Sequence, residues 1–223
     1  MIDFNDLPQD KIYFQDDDVV IYCADCREIL PKLPKVDLVL TDPPYGIGEA
    51  AGKNLSRGKW ANPTNYGVEH WDDTPISQDL LDLAINCGNK AIVFGGNYYH
   101  LPPAKCWLIW DKENGANDFA DCEMAWTNLN KAVRLLRYRW AGMLQGDMKN
   151  KEYRYHPTQK PLPVMKWCVQ QAADVGLILD PFMGSGTTLR AALDLGRKCI
   201  GIEISEKYCE IAKNRLRQSV MKL

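Results

Sequence analysis

The segment Asp42-Pro43-Pro44-Tyr45 combines residue types that could do chemistry together, and it begins one residue after an apolar run that ends at Leu40. The two prolines fix the backbone and lack N–H donors, so their carbonyls and the Asp42 carboxylate can accept hydrogen bonds from a ligand. An exocyclic amine on a planar base offers two N–H donors, and Tyr45 offers a ring for stacking. The segment therefore predicts a site for an amino-bearing planar ring, because a purely structural turn would not need this combination.

A second segment, residues 180–188, is typical of a loop that binds a nucleotide-like ligand. It contains Gly184-Ser185-Gly186 after a short apolar run and before a helical pattern, so glycines can bring the backbone close to a ligand at a helix N-terminus. Glu203 follows Asp180 by 23 residues, the spacing at which an acidic residue binds ribose hydroxyls. The segment is neither GxGxxG nor a P-loop with its lysine, which disfavours NAD and ATP. Without Glu203, a tight structural turn would explain the glycines equally well.

The elements that must position these loops alternate between strand and helix. Near the C-terminus, the pattern predicts strands over 177–179 and 198–204 and helices over 187–195 and 205–218. Upstream, the pattern predicts strands over 19–23, 36–41, 90–95, 106–110, 123–126 and 133–139. It also predicts helices over 26–33 and 161–174, and a further helix that begins after an N-cap at Ser77. This alternation indicates a doubly wound, mostly parallel α/β sheet, with both loops at the carboxyl ends of strands. A single domain over 1–223 is expected, with a long loop over 46–75.

Composition excludes several classes of protein. With 27 basic and 29 acidic residues, the net charge of −2 does not fit a generally basic protein that coats nucleic acid. No apolar run reaches the roughly 20 residues of a membrane helix, and the N-terminus lacks a signal-peptide pattern, so a cytoplasmic protein without membrane contact is expected. Eight scattered cysteines are expected to be reduced. Cys23 and Cys26 form a CxxC without a second ligand pair at zinc spacing, and the three histidines are dispersed, so no metal site is predicted.

Positive charge is nevertheless concentrated in residues 131–155. This stretch contains seven basic and two acidic residues, with four aromatic residues interleaved. Basic and aromatic side chains together can bind phosphates and stack on bases, although a solvated face explains the pattern equally well. The candidate DNA-binding residues in this stretch and in the 46–75 loop are Arg134, Arg137, Arg139, Lys149, Lys151 and Arg154, and Lys53, Arg57 and Lys59.

The two segments together resemble the catalytic and cofactor motifs of the amino-group DNA methyltransferases. The order, with Asp42-Pro43-Pro44-Tyr45 first and the glycine segment near the C-terminus, is similar to the circularly permuted β group of that family. Asp25 resembles the acidic residue that meets the cofactor adenine, and residues 156–161 (HPTQKP) resemble the segment that closes over the cofactor. The resemblance implies a Rossmann-like fold that binds S-adenosyl-L-methionine (AdoMet). The implied cofactor-binding residues are Asp25, Thr158, Gln159, Lys160, Asp180, Pro181, Phe182, Gly184, Ser185, Gly186, Thr187 and Glu203.

The resemblance also implies a reaction, methyl transfer to the exocyclic N6 of an adenine flipped out of double-stranded DNA. Asp42 and the Pro43 carbonyl would accept the two amino hydrogens, Tyr45 would stack on the base, and a short region over 111–155 would recognise the target. Asp rather than Ser before Pro-Pro-Tyr favours adenine over the alternative, cytosine N4. Methylation of RNA or of a protein glutamine, and a catalytically silent AdoMet-responsive DNA-binding protein, are further alternatives. A homodimer is left open.

Overall fold

The computed structural model describes residues 3–46, 74–115, 120–141, 144–155 and 158–217. The described strands are β1 (Ile12–Gln15), β2 (Val19–Cys23), β3 (Val36–Thr41), β4 (Gly88–Phe94), β5 (Trp107–Asp111), β6 (Cys122–Thr127), β7 (Arg134–Arg137), β8 (Trp140–Ala141), β9 (Leu144–Gln145), β10 (Leu177–Asp180) and β11 (Lys198–Glu203). The described α-helices are α1 (Cys26–Ile29), α2 (Gln78–Asn86), α3 (Leu162–Ala172), α4 (Thr187–Asp194) and α5 (Glu206–Arg217).

Nine of the described strands form one mixed sheet in the order β1-β2-β11-β10-β3-β4-β6-β5-β7, and β8 pairs with β9 separately. The five central strands, from β2 to β4 in this order, are all parallel. β10 pairs with β3 through Ile178 with Leu38 and Leu179 with Val39, so the carboxyl ends of these two strands lie side by side. From this pair the chain continues to β4 on one side and to β11 on the other. Ligands of open α/β sheets bind at such a switch point.

Helices cover both faces of the sheet because the central strands are apolar on both faces. Leu38 and Leu40 of β3 lie in a core cluster with residues of α3, α4 and α5. Val39, whose side chain alternates to the other face, lies in a second cluster with residues of α1 and α2. Each fully buried aliphatic side chain contributes about 1.5–3 kcal/mol. The strand ends that carry the two loops are therefore anchored from both faces.

The predicted alternation and the predicted fold class are confirmed, with most element ends within one to three residues of the expected positions. The helix predicted over 26–33 is shorter: α1 ends at Ile29 and a 3₁₀ turn, Leu30–Lys32, follows, because Pro31 cannot continue an α-helix. The sequence patterns did not predict β1, β8 and β9. Strands β6 and β7 lie within 111–155 and belong to the main sheet. Among the helices in the described part of the chain, none is long and apolar enough to cross a membrane.

Candidate active site at the carboxyl ends of β3 and β10

A cavity of about 370 Å³ opens where β2, β11, β10 and β3 end. This volume is within the usual range for a small-molecule site. Most of the predicted site residues line it: Asp25, Asp42, Pro44, Thr158, Gln159, Lys160, Asp180, Pro181, Phe182, Gly184, Ser185, Thr187 and Glu203. Pro43, Tyr45 and Gly186 are not among its lining residues. The structure therefore brings together two motifs that are more than 130 residues apart in the chain.

Asp180 joins the two strand ends at the floor of the cavity. Its side chain, only 3% exposed, accepts a hydrogen bond from Thr41 Oγ1 at 2.8 Å and another from the Phe182 N–H at 3.1 Å. Burial raises the pKa of this carboxyl to about 6, against the hydrogen bonds that favour its ionised form. Asp180 thus fixes the glycine segment against β3.

The glycine segment adopts backbone conformations that require glycine. Gly184 and Gly186 have φ values of +50° and +78°, and a Cβ at Gly186 would lie 2.8 Å from the Cβ of Ala212 on α5. A side chain at Gly186 would therefore be strained in the backbone and would also collide with α5. The turn closes with a hydrogen bond from the Gly186 N–H to the Met183 carbonyl, at 2.9 Å, and α4 begins at the next residue.

Two carboxylates lie at the ends of neighbouring strands on the same side of the cavity. Glu203, at the end of β11, accepts hydrogen bonds from the Gly184 N–H at 3.0 Å and the Ser205 N–H at 2.9 Å. Burial raises its pKa to about 7, although these backbone bonds oppose the shift. Asp25, just after β2, caps α1 through the Arg27 N–H at 2.9 Å, and its bond with the Arg27 side chain lowers its pKa. Carboxylates held in this way can accept hydrogen bonds from the hydroxyls of a ligand.

Asp42 lies at the other side of the cavity and is bound by two side chains. The Lys160 ammonium pairs with its Oδ2, and the Tyr45 hydroxyl donates to its Oδ1. Burial raises the pKa of Asp42, although Lys160 opposes the shift. The ring of Tyr45 stacks on Tyr98, with centroids 5.0 Å apart and planes 18° apart, and the Tyr99 hydroxyl donates to the Pro44 carbonyl at 2.5 Å. The loop is therefore fixed at three of its four predicted residues.

In sequence, the chain is similar to known DNA methyltransferases. The family model described as DNA methylase matches residues 110–214, which include the glycine segment and Glu203 but not Asp42. The Type II methyltransferase M2.LlaDCHI of Lactococcus lactis subsp. cremoris is 25% identical over 252 residues, covering 92% of this chain and 92% of that protein. The chain is therefore similar in sequence to DNA methyltransferases over most of its length.

Solved structures confirm the methyltransferase fold. A crystal structure of M1.HpyAVI in complex with SAM matches with a TM-score of 0.54 and 24% identity, covering 89% of this chain and 100% of that chain. The PvuII DNA methyltransferase, described as cytosine-N4-specific, matches with a TM-score of 0.59 and 16% identity, covering 93% and 89% of the two chains. The predicted Rossmann-like architecture is therefore confirmed.

Sequence reasoning missed three charged residues that this site contains. Arg215, on α5, donates to the Ser185 carbonyl at 2.6 Å, to Ser185 Oγ at 2.9 Å and to Thr187 Oγ1 at 3.2 Å, so it clamps the glycine segment. Glu123 and Lys112 lie 2.6 Å apart behind Lys160. The sequence contains a signal for Glu123 alone, because an acidic residue inside an otherwise apolar strand is unusual and indicates a specific partner. The contacts of Arg215 and Lys112 follow only from the tertiary structure.

The predicted DNA-binding residues have different surroundings. Most of those in the described part of the chain are exposed on β7 and the segment after it: Arg134, Arg137, Arg139, Lys149 and Lys151. Arg137 also lies 3.3 Å from Asp111, and the guanidinium of Arg154 lies over the Trp140 ring, 4.4 Å from its centroid. Lys53, Arg57 and Lys59, like His156 and Pro157 of the HPTQKP segment, lie outside the described residues. DNA contact by these residues stays a prediction.

Proposed function

We propose that this protein is an AdoMet-dependent DNA methyltransferase that transfers a methyl group to the exocyclic N6 of adenine. One observation carries the proposal: Asp42 and the cradle formed by Gly184 and Glu203 line the same cavity. Such a cavity can hold an acceptor for an amino group beside a site for a nucleoside-like methyl donor. The β group of the amino-group DNA methyltransferases, which this chain resembles, has both parts of this arrangement in its motifs, in the permuted order found here.

The residues around the cavity fit the proposed cofactor. Carboxylates at Glu203 and Asp25 suit the hydroxyl and amine donors of a nucleoside, and the apolar side chains of Phe182 and Ile204 line the same cavity and suit a planar ring. The backbone turn around Gly184 and Ser185 allows close approach by the rest of the molecule. When bound, AdoMet supplies an electrophilic methyl group on a positively charged sulfur.

The chain's own residues then act by positioning and by charge. Asp42, as a carboxylate, accepts a hydrogen bond from the amino group, and the Pro43 carbonyl accepts the second. These two bonds direct the lone pair of the nitrogen out of conjugation with the ring and stabilise the positive charge that develops there. Tyr45 stacks on the base after it has left the duplex. A strong general base is unnecessary, because the methylated amine loses its proton readily.

The choice of adenine rests on Asp42 in the first position of the motif, and cytosine N4 is the second candidate. The same acceptors suit the exocyclic amine of cytosine, and the PvuII enzyme, with the same fold, is described as cytosine-N4-specific. The exposed basic residues of β7 and the segment after it are proposed to contact DNA phosphates, and DNA as the substrate makes the cytoplasm the proposed location. A homodimer on duplex DNA is testable by light scattering.

The experiment is methyl transfer to genomic DNA, with modified nucleosides identified by mass spectrometry and AdoMet binding measured by calorimetry. We expect 6-methyladenine from the native protein. For Asp42→Asn we expect at least about a 100-fold loss of rate with AdoMet binding retained, because the amide keeps an acceptor oxygen but lacks the negative charge that stabilises the positive charge developing on the nitrogen. Asp79→Asn, an exposed carboxylate on α2, is the matched control and should remain active.

The possible outcomes separate the alternatives. Product consisting only of 4-methylcytosine would overturn the choice of base. AdoMet binding without any methyl transfer from the native protein would favour the silent DNA-binding alternative. Full activity of Asp42→Asn would contradict the mechanism.

A further inference from the structure

Four charged side chains form a continuous row that begins at Asp42 and leads away from the cavity. Asp42 pairs with Lys160, Lys160 Nζ lies 3.1 Å from Glu123 Oε2, and Glu123 Oε1 lies 2.6 Å from Lys112 Nζ. The row contains two positive and two negative charges. Its members come from four places in the chain: the loop after β3, the segment before α3, β6, and the residue after β5.

The row is largely shielded from water. The side chain of Lys160 is 7% exposed, and those of Lys112, Asp42 and Glu123 are 18%, 20% and 26% exposed. A buried ammonium is tolerated only where opposite charges compensate the lost hydration. Burial disfavours the charged form of Lys160, but Asp42 and Glu123 outweigh burial and raise its pKa above its usual value. Lys160 is therefore a fixed positive charge between two carboxylates.

We propose that Lys160 is a positioning residue for the catalytic carboxylate Asp42, and that Glu123, held in turn by Lys112, fixes Lys160. This inference rests on the proposed function. Lys160 binds Oδ2 of Asp42 while the Tyr45 hydroxyl binds Oδ1, so the carboxylate is fixed through both oxygens. The resemblance implied a different role for Lys160, contact with the cofactor, and the two roles predict different kinetic effects.

The charges around Asp42 indicate what loss of Lys160 would do. Asp42 faces Lys160 from the segment before α3, Glu123 from β6, Asp180 from β10 and the Tyr45 hydroxyl from its own loop. Without the ammonium, a partly buried carboxylate would face two other carboxylates, which favour its protonated form. A protonated carboxyl offers a donor where the amino group of the base needs an acceptor. Removal of the Lys160 ammonium should therefore lower the catalytic rate and change the dependence of that rate on pH.

The test compares kcat from pH 5 to 9, and the Kd for AdoMet, in native protein and in Lys160→Met, Lys160→Arg and Glu123→Gln. For Lys160→Met we expect kcat at pH 7 to fall about 100-fold through misplacement of Asp42. The acidic limb of the profile should move up by at least about one pH unit, as expected when a carboxylate loses an adjacent cation. The Kd for AdoMet should stay at its native value. Lys160→Arg should recover part of the rate, and Glu123→Gln, which removes a neighbouring negative charge, should move the limb down.

Two measures keep the result interpretable. Lys160→Met leaves Glu123 and Asp42 without their shared cation, so the double variant Lys160→Met/Glu123→Gln provides a folded protein if the single variant does not fold, as judged by circular dichroism. An unmoved acidic limb in folded Lys160→Met would overturn the inference. In the double variant the two expected shifts of the limb oppose each other, so there the deciding readout is the rate, and an undiminished kcat would overturn the inference. A rise in the AdoMet Kd that accounts for the lost rate would overturn it in either variant. If Asp42→Asn is itself active, the proposed function fails instead, so the two failures are distinguishable.

Discussion

Replacement of Gly95 by alanine should displace the Tyr45 ring while leaving the cofactor cradle intact. Gly95 directly follows β4 and has φ of +64°. A Cβ built there would lie 2.1 Å from Cε1 of Tyr45 and 2.5 Å from Cζ. Real Cβ atoms do not come so close to a ring, so the Tyr45 ring, the backbone of Gly95 or both must move. The variant therefore tests whether the position of Tyr45 matters for catalysis.

Two costs of this substitution can be worked out separately. An alanine in the left-handed region costs about 1–2 kcal/mol. Forcing a packed ring aside costs about a further 1–3 kcal/mol. The free energy of unfolding should therefore fall by about 2–5 kcal/mol in Gly95→Ala. Gly196 is a matched control, because its φ is +67° and a Cβ there would meet no atom within 4 Å. Gly196→Ala should show only the first cost, about 1–2 kcal/mol.

Urea denaturation of both variants measures the free energies, and methyl transfer to DNA measures the consequence for catalysis. A displacement of about 1 Å in a positioning group can lower the rate about 100-fold, so we expect a loss of this size in Gly95→Ala and native activity in Gly196→Ala. AdoMet binding should be native in both. Equal destabilisation of the two variants would mean that the ring moves without cost, and full activity in Gly95→Ala would mean that the position of Tyr45 does not matter for catalysis. Either result would refute the prediction.

Two further predictions concern the cofactor cradle. Arg215→Met removes three hydrogen bonds to Ser185 and Thr187, and since a bond with a charged partner is worth about 1.5–3 kcal/mol, calorimetry should show AdoMet affinity about 10–100-fold lower. Arg217→Met, on the same helix but exposed, should bind normally; equal losses in both would point to a general effect on α5. Glu203 has a pKa of about 7, above its usual 4.5, so the folded protein retains a proton that the unfolded chain has lost, and the contribution of Glu203 to stability declines as pH rises from about 4.5 to about 7. In urea denaturation, Glu203→Gln should therefore gain stability relative to the native protein over this range, and parallel profiles for the two proteins would contradict the shifted pKa.

The central strands and the two loops could be predicted from sequence because both depend on local patterns. A strand that is buried on both faces leaves an apolar run, Leu38 to Leu40 in β3 and Leu177 to Leu179 in β10, and a polar or glycine residue near its end marks the start of a loop. All four residues of β1, Ile12 to Gln15, are partly exposed, so this strand lacks the burial on both faces that marks the central strands. Short strands at the edge of a sheet carry little of the hydrophobic signal.

The charges behind Asp42 could not be predicted in the same way. The charged row that begins at Asp42 depends on two features of the fold. Strands β5 and β6 pair beside β4, which brings in Lys112 and Glu123, and the segment before α3 returns to the end of β3, which brings in Lys160. No local pattern contains that information. The resemblance to the family implies a different role for Lys160, contact with the cofactor. A motif records which residue occurs at a position and not which atoms that residue contacts. Tertiary contacts, rather than the motif, relate Lys160 to Asp42.

The pairing of parallel strands also explains why a permuted order of motifs can still give one site. The hydrogen bond between Thr41 and Asp180 joins residues 139 positions apart, and it depends only on the pairing of β3 with β10. Parallel strands place their carboxyl ends at one edge of the sheet whichever strand comes first in the chain. The site therefore constrains which strands are neighbours and where each one ends, and it leaves the connections free. That freedom allows residues 111–155 to add β6 and β7 to the sheet and to supply Glu123 to the charged row, within the same stretch that is proposed to contact DNA.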